Sequence, residues 1–463
     1  HNDITVTAWW PYTAGETTPP AVKVKANQST QKDFEGSDLI VADGQTVTYG
    51  SPTLRFTHRT ARVTIVLTDY TEGLASVQLT GLSTENDNPD KITPYDKGSN
   101  TYTAIVAPQS VAAGTAFITC TFTNGKTFVY KMKNATDWQA GGEYTYTVSL
   151  AAAKDLGYTI ESDGSYTVTS ADGLMNIAEL VNGGKSDINI TLDTDIDLTG
   201  KDWTPIGTNY DNSYKGTFDG GGHTITGLTV TTYDKYAGLF GWLNSAGTVK
   251  NVVMEGVQIT NNHSSGFAGG VVGNSWGTIE NCSVSGSVNG EVYVGGVVGK
   301  QTSGSMTGCS SSATVKGTVN VGGVAGESWG SMTACYATGN VTLEIYPGKD
   351  ISGGGVVGFK GGNSVLACYA TGNVNSKGSS TGNVHIGGLF GYKYATAIAC
   401  YWKNNKEQGI GYNKEGIVTE ATKVDGTDVT WQKAVDAMNT ALQNAGSEWR
   451  YELKGALPTL RKQ

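Results

Sequence analysis

The stretch GGVVGNSWGTIENCSVSGSV, residues 269–288, decides how the rest of the chain is read. A glycine pair, two small apolar residues and a third glycine lead through a turn into a short alternating run that carries a cysteine. The five-residue element at its head occurs six times: AGLFG from 237, GGVVG from 269, GGVVG from 295, GGVAG from 322, GGVVG from 354 and GGLFG from 387, so successive copies start 32, 26, 27, 32 and 33 residues apart. Nine or ten residues after the last glycine of each later copy stands Cys282, Cys309, Cys335, Cys368 or Cys400, and Val252 takes that place after the first copy.

A repeat of this length, built of alternating runs joined at glycines and without helical periodicity, predicts a solenoid with one coil per repeat. A propeller blade needs about 40–50 residues. Stacked coils lie about 4.8 Å apart, with main-chain hydrogen bonds along the axis. The glycines suit corners where a Cβ would clash or φ must be positive. We therefore expect a parallel β-helix over 235–402. A linker, a capping helix and irregular coils precede it at 151–234, and a C-terminal cap follows at 403–463. The helices come from spacing: Leu174, Ile177, Ala178 and Val181 share one face after the N-cap candidate Ser170, and Trp431, Ala434, Val435, Met438, Ala441 and Leu442 share another. The first is expected to cover the first coil and the second to cover the last, since unpaired strand edges invite aggregation.

Composition agrees with a chain of two parts. Of 64 glycines in 463 residues, 11 fall in the first 150. Those residues instead show short alternating strands, such as Ala61–Leu67, Phe117–Phe122 and Tyr144–Val148, punctuated by Asn124-Gly125 and Gly141-Gly142, which predicts an antiparallel β-sandwich over 1–150. The fold class is thus all-β with short capping helices. Charged residues make up 16 % and hydrophobic residues 38 %, which excludes coiled coil and disorder. A net charge of −9 without a Lys/Arg cluster excludes nucleic acid as a partner. No apolar run reaches the ~18 residues of a membrane-spanning helix. The chain opens at His1 without an initiator Met, and Ile4, Val6 and Ala8 already alternate, so a signal or lipid-anchor segment is expected to have been removed.

Wording as well as pattern is informative in both parts. AWWPY (8–12), SDLIVA (37–42), LRFTHRTARVTIVL (54–67), TYTAIVAPQSV (101–111) and GGEYTYTVSL (141–150) resemble the fimbrillin-like domains of Gram-negative anaerobes. The six glycine elements resemble the GLUG repeat of bacterial surface proteins. Together the resemblances imply a cell-surface adhesin or fimbria-associated structural protein, at the outer membrane or outside the cell, rather than an enzyme. Its partners would be a surface glycan or protein of a host or bacterium, and other fimbrial subunits through strand complementation. A glycan-active β-helix lyase or hydrolase, and a carbohydrate-binding module without adhesive role, stand as alternatives.

Candidate chemistry is sparse. The repeat cysteines could be metal ligands, disulfides or core filler. No Cys-x2-Cys pair is present, in-register positions hold Cβ atoms wider than the ~3.8 Å of a disulfide, and Val252 occupies the same place. A ladder of buried free thiols is expected, with Cys120 buried as well. Asp193, Asp195 and Asp197 open like a calcium loop, but Leu198 and Thr204 stand where its Gly and Glu belong. GGGVVG (353–358) lacks the helix and acid of a dinucleotide site, and FDGGGH (218–223) lacks the Lys-Ser/Thr of a phosphate loop. The histidines His1, His58, His223, His263 and His385 are scattered, with no nucleophile elbow. No cofactor, metal or catalytic residue is expected. The best recognition candidates are aromatic: Trp276, Trp329 and Tyr394 lie three residues after the last glycine of their elements, and Trp242, Phe359 and Tyr392 one residue after. Such rings could stack on sugars or simply pack over turns.

Overall fold

Alternation in Ala61–Thr68 places Ala61, Val63, Ile65 and Leu67 inward and the residues between them outward. This strand is the centre of the first unit. It pairs antiparallel with Thr101–Val106, which continues to Tyr95–Gly98, and on its other side parallel with Glu143–Ser149. The structure, a computed structural model, describes residues 3–12, 14–84, 88–123, 127–151, 156–414 and 419–463. They form two compact units, 1–155 and 156–463. His1, the turn Asn124-Gly125 and most of the linker after 151 lie outside the described residues.

In the first unit a second sheet, Leu74–Leu79, Ala116–Phe122 and Thr127–Lys131, faces the first across a core that includes Val63, Ile65, Phe117, Ile118, Cys120 and Trp138. A third sheet joins Ile4–Trp10 to Ile40–Val47 and Thr57–His58. Among the described strands of this unit pairing is antiparallel except that Glu143–Ser149 runs parallel to Ala61–Thr68, and an isolated bridge between Asn27 and Thr93 is parallel as well. The chain reaches that edge by a long crossover through Thr136–Trp138, which pairs with Gln109–Val111, and so enters from the same end as its partner. A one-turn helix, α1 (Gln31–Glu35), interrupts the strands where Thr30 caps Asp33 N–H.

The second unit opens with the hairpin Tyr158–Ile160 and Tyr166–Val168, and the sheets of its coils are parallel thereafter. Helix α2 (Ala171–Asn182) starts where Ser170 Oγ accepts from Gly173 N–H at 3.1 Å. It turns Leu174, Ile177, Ala178 and Val181 into the same core as Val168, Ile190 and Ile196 of the first coil. Three sheets then run the length of the solenoid, of 22, 6 and 7 strands. The repeat glycines stack: Gly269, Gly295, Gly322, Gly354 and Gly387 lie opposite one another in consecutive coils. A Cβ on Gly295 would sit 2.1 Å from Val298 O and 2.7 Å from Ala325 Cα. The glycines of the five later elements all keep φ out of the left-handed region, so space rather than backbone freedom demands them.

The left-handed corner lies one residue before the cysteine. Asn251, Asn281, Gly308, Ala334, Ala367 and Ala399 hold φ between 50° and 66°. Three of them decide where the C-terminal segment lies. Helix α3 (Trp431–Asn444) packs Trp431, Ala434, Val435 and Met438 with Ala334, Ala367 and Ala399. The hairpin Trp449–Lys454 and Leu457–Lys462 continues over Gly308, where a Cβ would come within 2.5 Å of the Trp449 ring. Tyr451 Oη donates to Ala367 O at 2.9 Å, and Lys462 Nζ meets Glu280 at 2.8 Å. The expected lid on the last coil is thus corrected: the segment lies along the flank of several successive coils, because small residues at the corner leave a trough there that an apolar helix face fills.

Candidate functional site

Alternation in the seven-stranded sheet sends every second residue outward. The resulting row reads Trp242, Asn274, Lys300, Glu327, then Phe359, Tyr392 and Tyr412. The six-stranded sheet adds a neighbouring row, Tyr236, Phe267, Tyr293, Asn320, Ser352 and His385. Identical coil spacing therefore turns scattered aromatics into a surface.

Two ring clusters result. In the first, Trp242 lies 5.7 Å from Trp276, 5.6 Å from Tyr210 and 4.9 Å from Tyr236, and Phe267 stacks on Tyr293 at 4.6 Å. In the second, Phe359 stacks on Tyr392 at 5.2 Å and Tyr392 on Tyr412 at 4.4 Å. Trp329 flanks Phe359 at 5.8 Å, and Tyr394 flanks Tyr392 at 4.9 Å. Trp329 is 41 % exposed and Tyr394 36 %, so this cluster meets solvent. Tyr392 Oη donates to Tyr394 Oη at 2.9 Å, and that bond raises its pKa. Burial lowers the pKa of His385, whose ring lies 5.0 Å from Tyr392.

Between the clusters sits one carboxylate. Glu327, almost buried, accepts from Lys300 Nζ at 2.8 Å, Asn320 Nδ2 at 2.8 Å and Trp329 Nε1 at 2.7 Å. Lys300 Nζ also lies 4.8 Å from the centre of the Tyr293 ring, so this ion pair ties the two rows together. Sequence reasoning singled out Trp242 and Trp276, which fall in the first cluster, and Trp329, Phe359, Tyr392 and Tyr394, which fall in the second. It missed Tyr210, Tyr236, Phe267, Tyr293, Glu327 and Tyr412. The available signal was the position two residues before the glycine pair, which is Phe267, Tyr293 and His385 in three of the five later copies.

Val252, Cys282, Cys309, Cys335, Cys368 and Cys400 form an inward row, each at most 1 % exposed. The residues that follow them are paired coil to coil, which fixes this register. The cysteines are free, and the five of the row donate to the carbonyl two residues earlier at 3.3–3.5 Å. Burial pushes the thiol of Cys400 up to about 12 and that of Cys120, buried in the first unit, up to about 11.

The other candidates do not converge. Asp195 accepts from Thr224 N–H of the next coil at 2.8 Å, and Asp197 from Thr199 N–H of its own turn at 2.9 Å. Among the described residues no three His, Cys, Asp or Glu side chains group as metal ligands. His58 pairs with Asp38 at 2.8 Å, His223 with Asp195 at 3.4 Å, and His263 accepts from Ser265 N–H. GGGVVG is one of the coil corners, and Gly221 and Gly222 make a left-handed turn.

Comparison with known proteins follows this division. The fimbrillin-like family matches residues 1–163, and the GLUG motif matches 266–289 and 290–316. Halomucin from Haloquadratum walsbyi is 43 % identical over 105 residues, covering 22 % of this chain and 1 % of its own length. A Gly-rich membrane protein, so named as a candidate, from Evansella cellulosilytica is 34 % identical over 129 residues, covering 26 % of this chain and 14 % of its own. The chain thus spans only a small part of either relative. The solved structure of a candidate immunoglobulin A1 protease from Bacteroides ovatus superposes with a TM-score of 0.50 at 20 % identity, covering 65 % of this chain and 93 % of that one, which is a likeness of fold. Among the described residues no helix is long and apolar enough to cross a membrane. The N-terminal part of the chain, residues 1–163, is thus similar to the fimbrillin-like family, and two of its coils, 266–289 and 290–316, match the GLUG motif.

Proposed function

We propose that this protein is a cell-surface adhesin or fimbria-associated component, held at the cell envelope, whose solenoid presents the face from Trp242 to Tyr412 to a glycan. The observation that carries the reading is the second ring cluster. Phe359, Tyr392 and Tyr412 are stacked at coil spacing, with the exposed Trp329 and Tyr394 beside them. Sugar C–H faces pack on such rings, and the polar centre at Lys300, Asn320 and Glu327 supplies hydrogen-bonding groups between the clusters. The mechanism is presentation and contact. Assembly with neighbouring subunits would use the edge strand Ile4–Trp10, whose outer edge has no partner strand among the described residues.

Catalysis is the less supported reading. A glycosidase needs two carboxylates across one bond, whereas the outward rows offer the single Glu327, already occupied by three donors. The name of the Bacteroides ovatus neighbour raises peptidase activity. Yet Thr60 Oγ1 and His58 bond the same Asp38 carboxylate, so the imidazole is not set to take the hydroxyl proton. Binding of the full chain to a glycan array, beside Phe359→Ala and Tyr392→Ala, tests the proposal. Loss of the wild-type signals in both variants is expected; unchanged signals would remove the face from function.

A further inference from the structure

The C-terminal hairpin does more than cover the coils. Where Leu457, Pro458 and Leu460 cross them, two adjoining hollows of about 360 Å³ and 150 Å³ remain, sharing Val253, Ser283, Ser310 and Tyr336. The first is of the size that small ligands occupy. One wall is coil: Ser283, Ser310 and Tyr336 follow one another in register, with Ser285, Ser312 and Glu255 alongside. The opposite wall is largely apolar: the hairpin supplies Leu457, Pro458, Leu460 and the Trp449 ring, with Thr459 its one polar residue there.

This roof is fixed. Tyr369 Oη donates to Pro458 O, Tyr451 Oη to Ala367 O, and Lys462 Nζ binds Glu280. Tyr336 is held flat on Tyr369, with ring centres 4.8 Å apart and planes 3° from parallel. The cleft is therefore built before any ligand arrives, which lowers the ordering cost of binding. The hydroxyls of Ser283 and Ser310 make no hydrogen bond within the described chain.

We infer that this cleft is a second binding site, separate from the aromatic face, for one or two saccharide units. A pyranose has an apolar C–H face and a rim of hydroxyls that both donate and accept. The cleft has an apolar wall facing serine hydroxyls that do the same, plus one carboxylate acceptor. An anionic ligand would meet Glu255 and find Lys462 already paired with Glu280. A lipid chain would leave the serine hydroxyls without partners.

The test is titration of the full chain with methyl glucoside, methyl galactoside, cellobiose and lactose, followed by calorimetry and by the Trp449 indole N–H resonance. We expect at least one of these to bind and to shift the Trp449 signal. Ser310→Trp, which fills the cleft, should weaken that binding by about tenfold or more, and Glu255→Gln by about threefold, while Phe359→Ala on the other face changes it less than about twofold. Glu255 is exposed, so its variant keeps the test decisive if Ser310→Trp fails to fold. Absence of binding by all four sugars overturns the inference. So does binding that neither shifts the Trp449 signal nor weakens in Glu255→Gln.

Discussion

Two inward rows of the solenoid share the same coils and the same spacing, yet they solve burial differently. The thiol row, Val252 to Cys400, needs little, because each sulfur reaches a carbonyl of its own coil and an apolar residue serves as well at its first position. The other row runs Leu243, Ser275, Gln301, Ser328, Lys360 and Lys393, and from Ser275 onward it is polar at zero exposure. Here partners come largely from neighbouring coils. Ser328 Oγ donates to Gln301 Oε1 at 2.8 Å, and Lys360 Nζ donates to Ser328 O, Gly330 O and Gly361 O at 2.7–3.3 Å. Only Ser275 Oγ is left without a partner. A coil interior can thus hold either self-sufficient groups or a chain of dependent ones, and the dependent ones carry the larger penalty when broken.

The largest break affects both rows at once. Gly295→Ala forces a Cβ against backbone on both sides and should cost about 4 kcal/mol or more, seen as loss of the cooperative unfolding transition or a steep fall in its midpoint. Next, Ser328→Val strips Gln301 Oε1 of its donor and should cost about 1–3 kcal/mol, whereas Cys309→Val should stay below about 1.5 kcal/mol. Equal losses in urea melts would erase the distinction between the rows.

The rows also differ in the sign of their pH response. Burial holds the ammonium of Lys360 at about 7 and that of Lys393 at about 8, while an unfolded lysine titrates near ~10.4. From pH 7 upward the unfolded chain binds more protons, so these lysines make stability rise with pH. Burial pushes Cys309 and Cys368 up and Cys400 to about 12, while an unfolded thiol titrates near ~8.5. Above that pH the unfolded chain sheds protons that the native thiols keep, and stability falls. Urea midpoints under reducing conditions should climb from pH 6.5 to 8.5 and drop by pH 10. Lys360→Met should flatten the first limb and steepen the second, because the lysine opposes the thiols until the unfolded ammonium titrates near ~10.4.

This contrast also explains what could be read beforehand. The glycine corners and thiols repeat as the same letter every 26–33 residues, so recurrence alone exposes them. The polar row keeps its register while changing letter from Ser to Gln to Ser to Lys, and no letter count reveals it. The left-handed corner likewise passes from Asn through Gly308 to Ala, because Asn281 bonds Asn251 across coils and the later positions lie under α3. Helices α2 and α3 were legible from apolar spacing, but the surface that receives α3 was not, since only the stacked corners create it. The aromatic face was half visible for the same reason: Trp242, Trp276, Trp329, Phe359, Tyr392 and Tyr394 stand near the glycine elements, whereas Tyr210 and Tyr412 join only through the fold.

The central claim, that the solenoid face makes adhesive contact with glycan, is tested most directly by attachment. Particles coated with the full chain are allowed to settle on immobilised glycan under flow, with wild type compared against a Phe359→Ala/Tyr392→Ala double variant of matched thermal stability. The account predicts firm attachment by wild type, competition by the same glycan in solution, and loss of attachment in the variant. Equal attachment by both proteins, or binding of soluble glycan with no attachment at all, would contradict it.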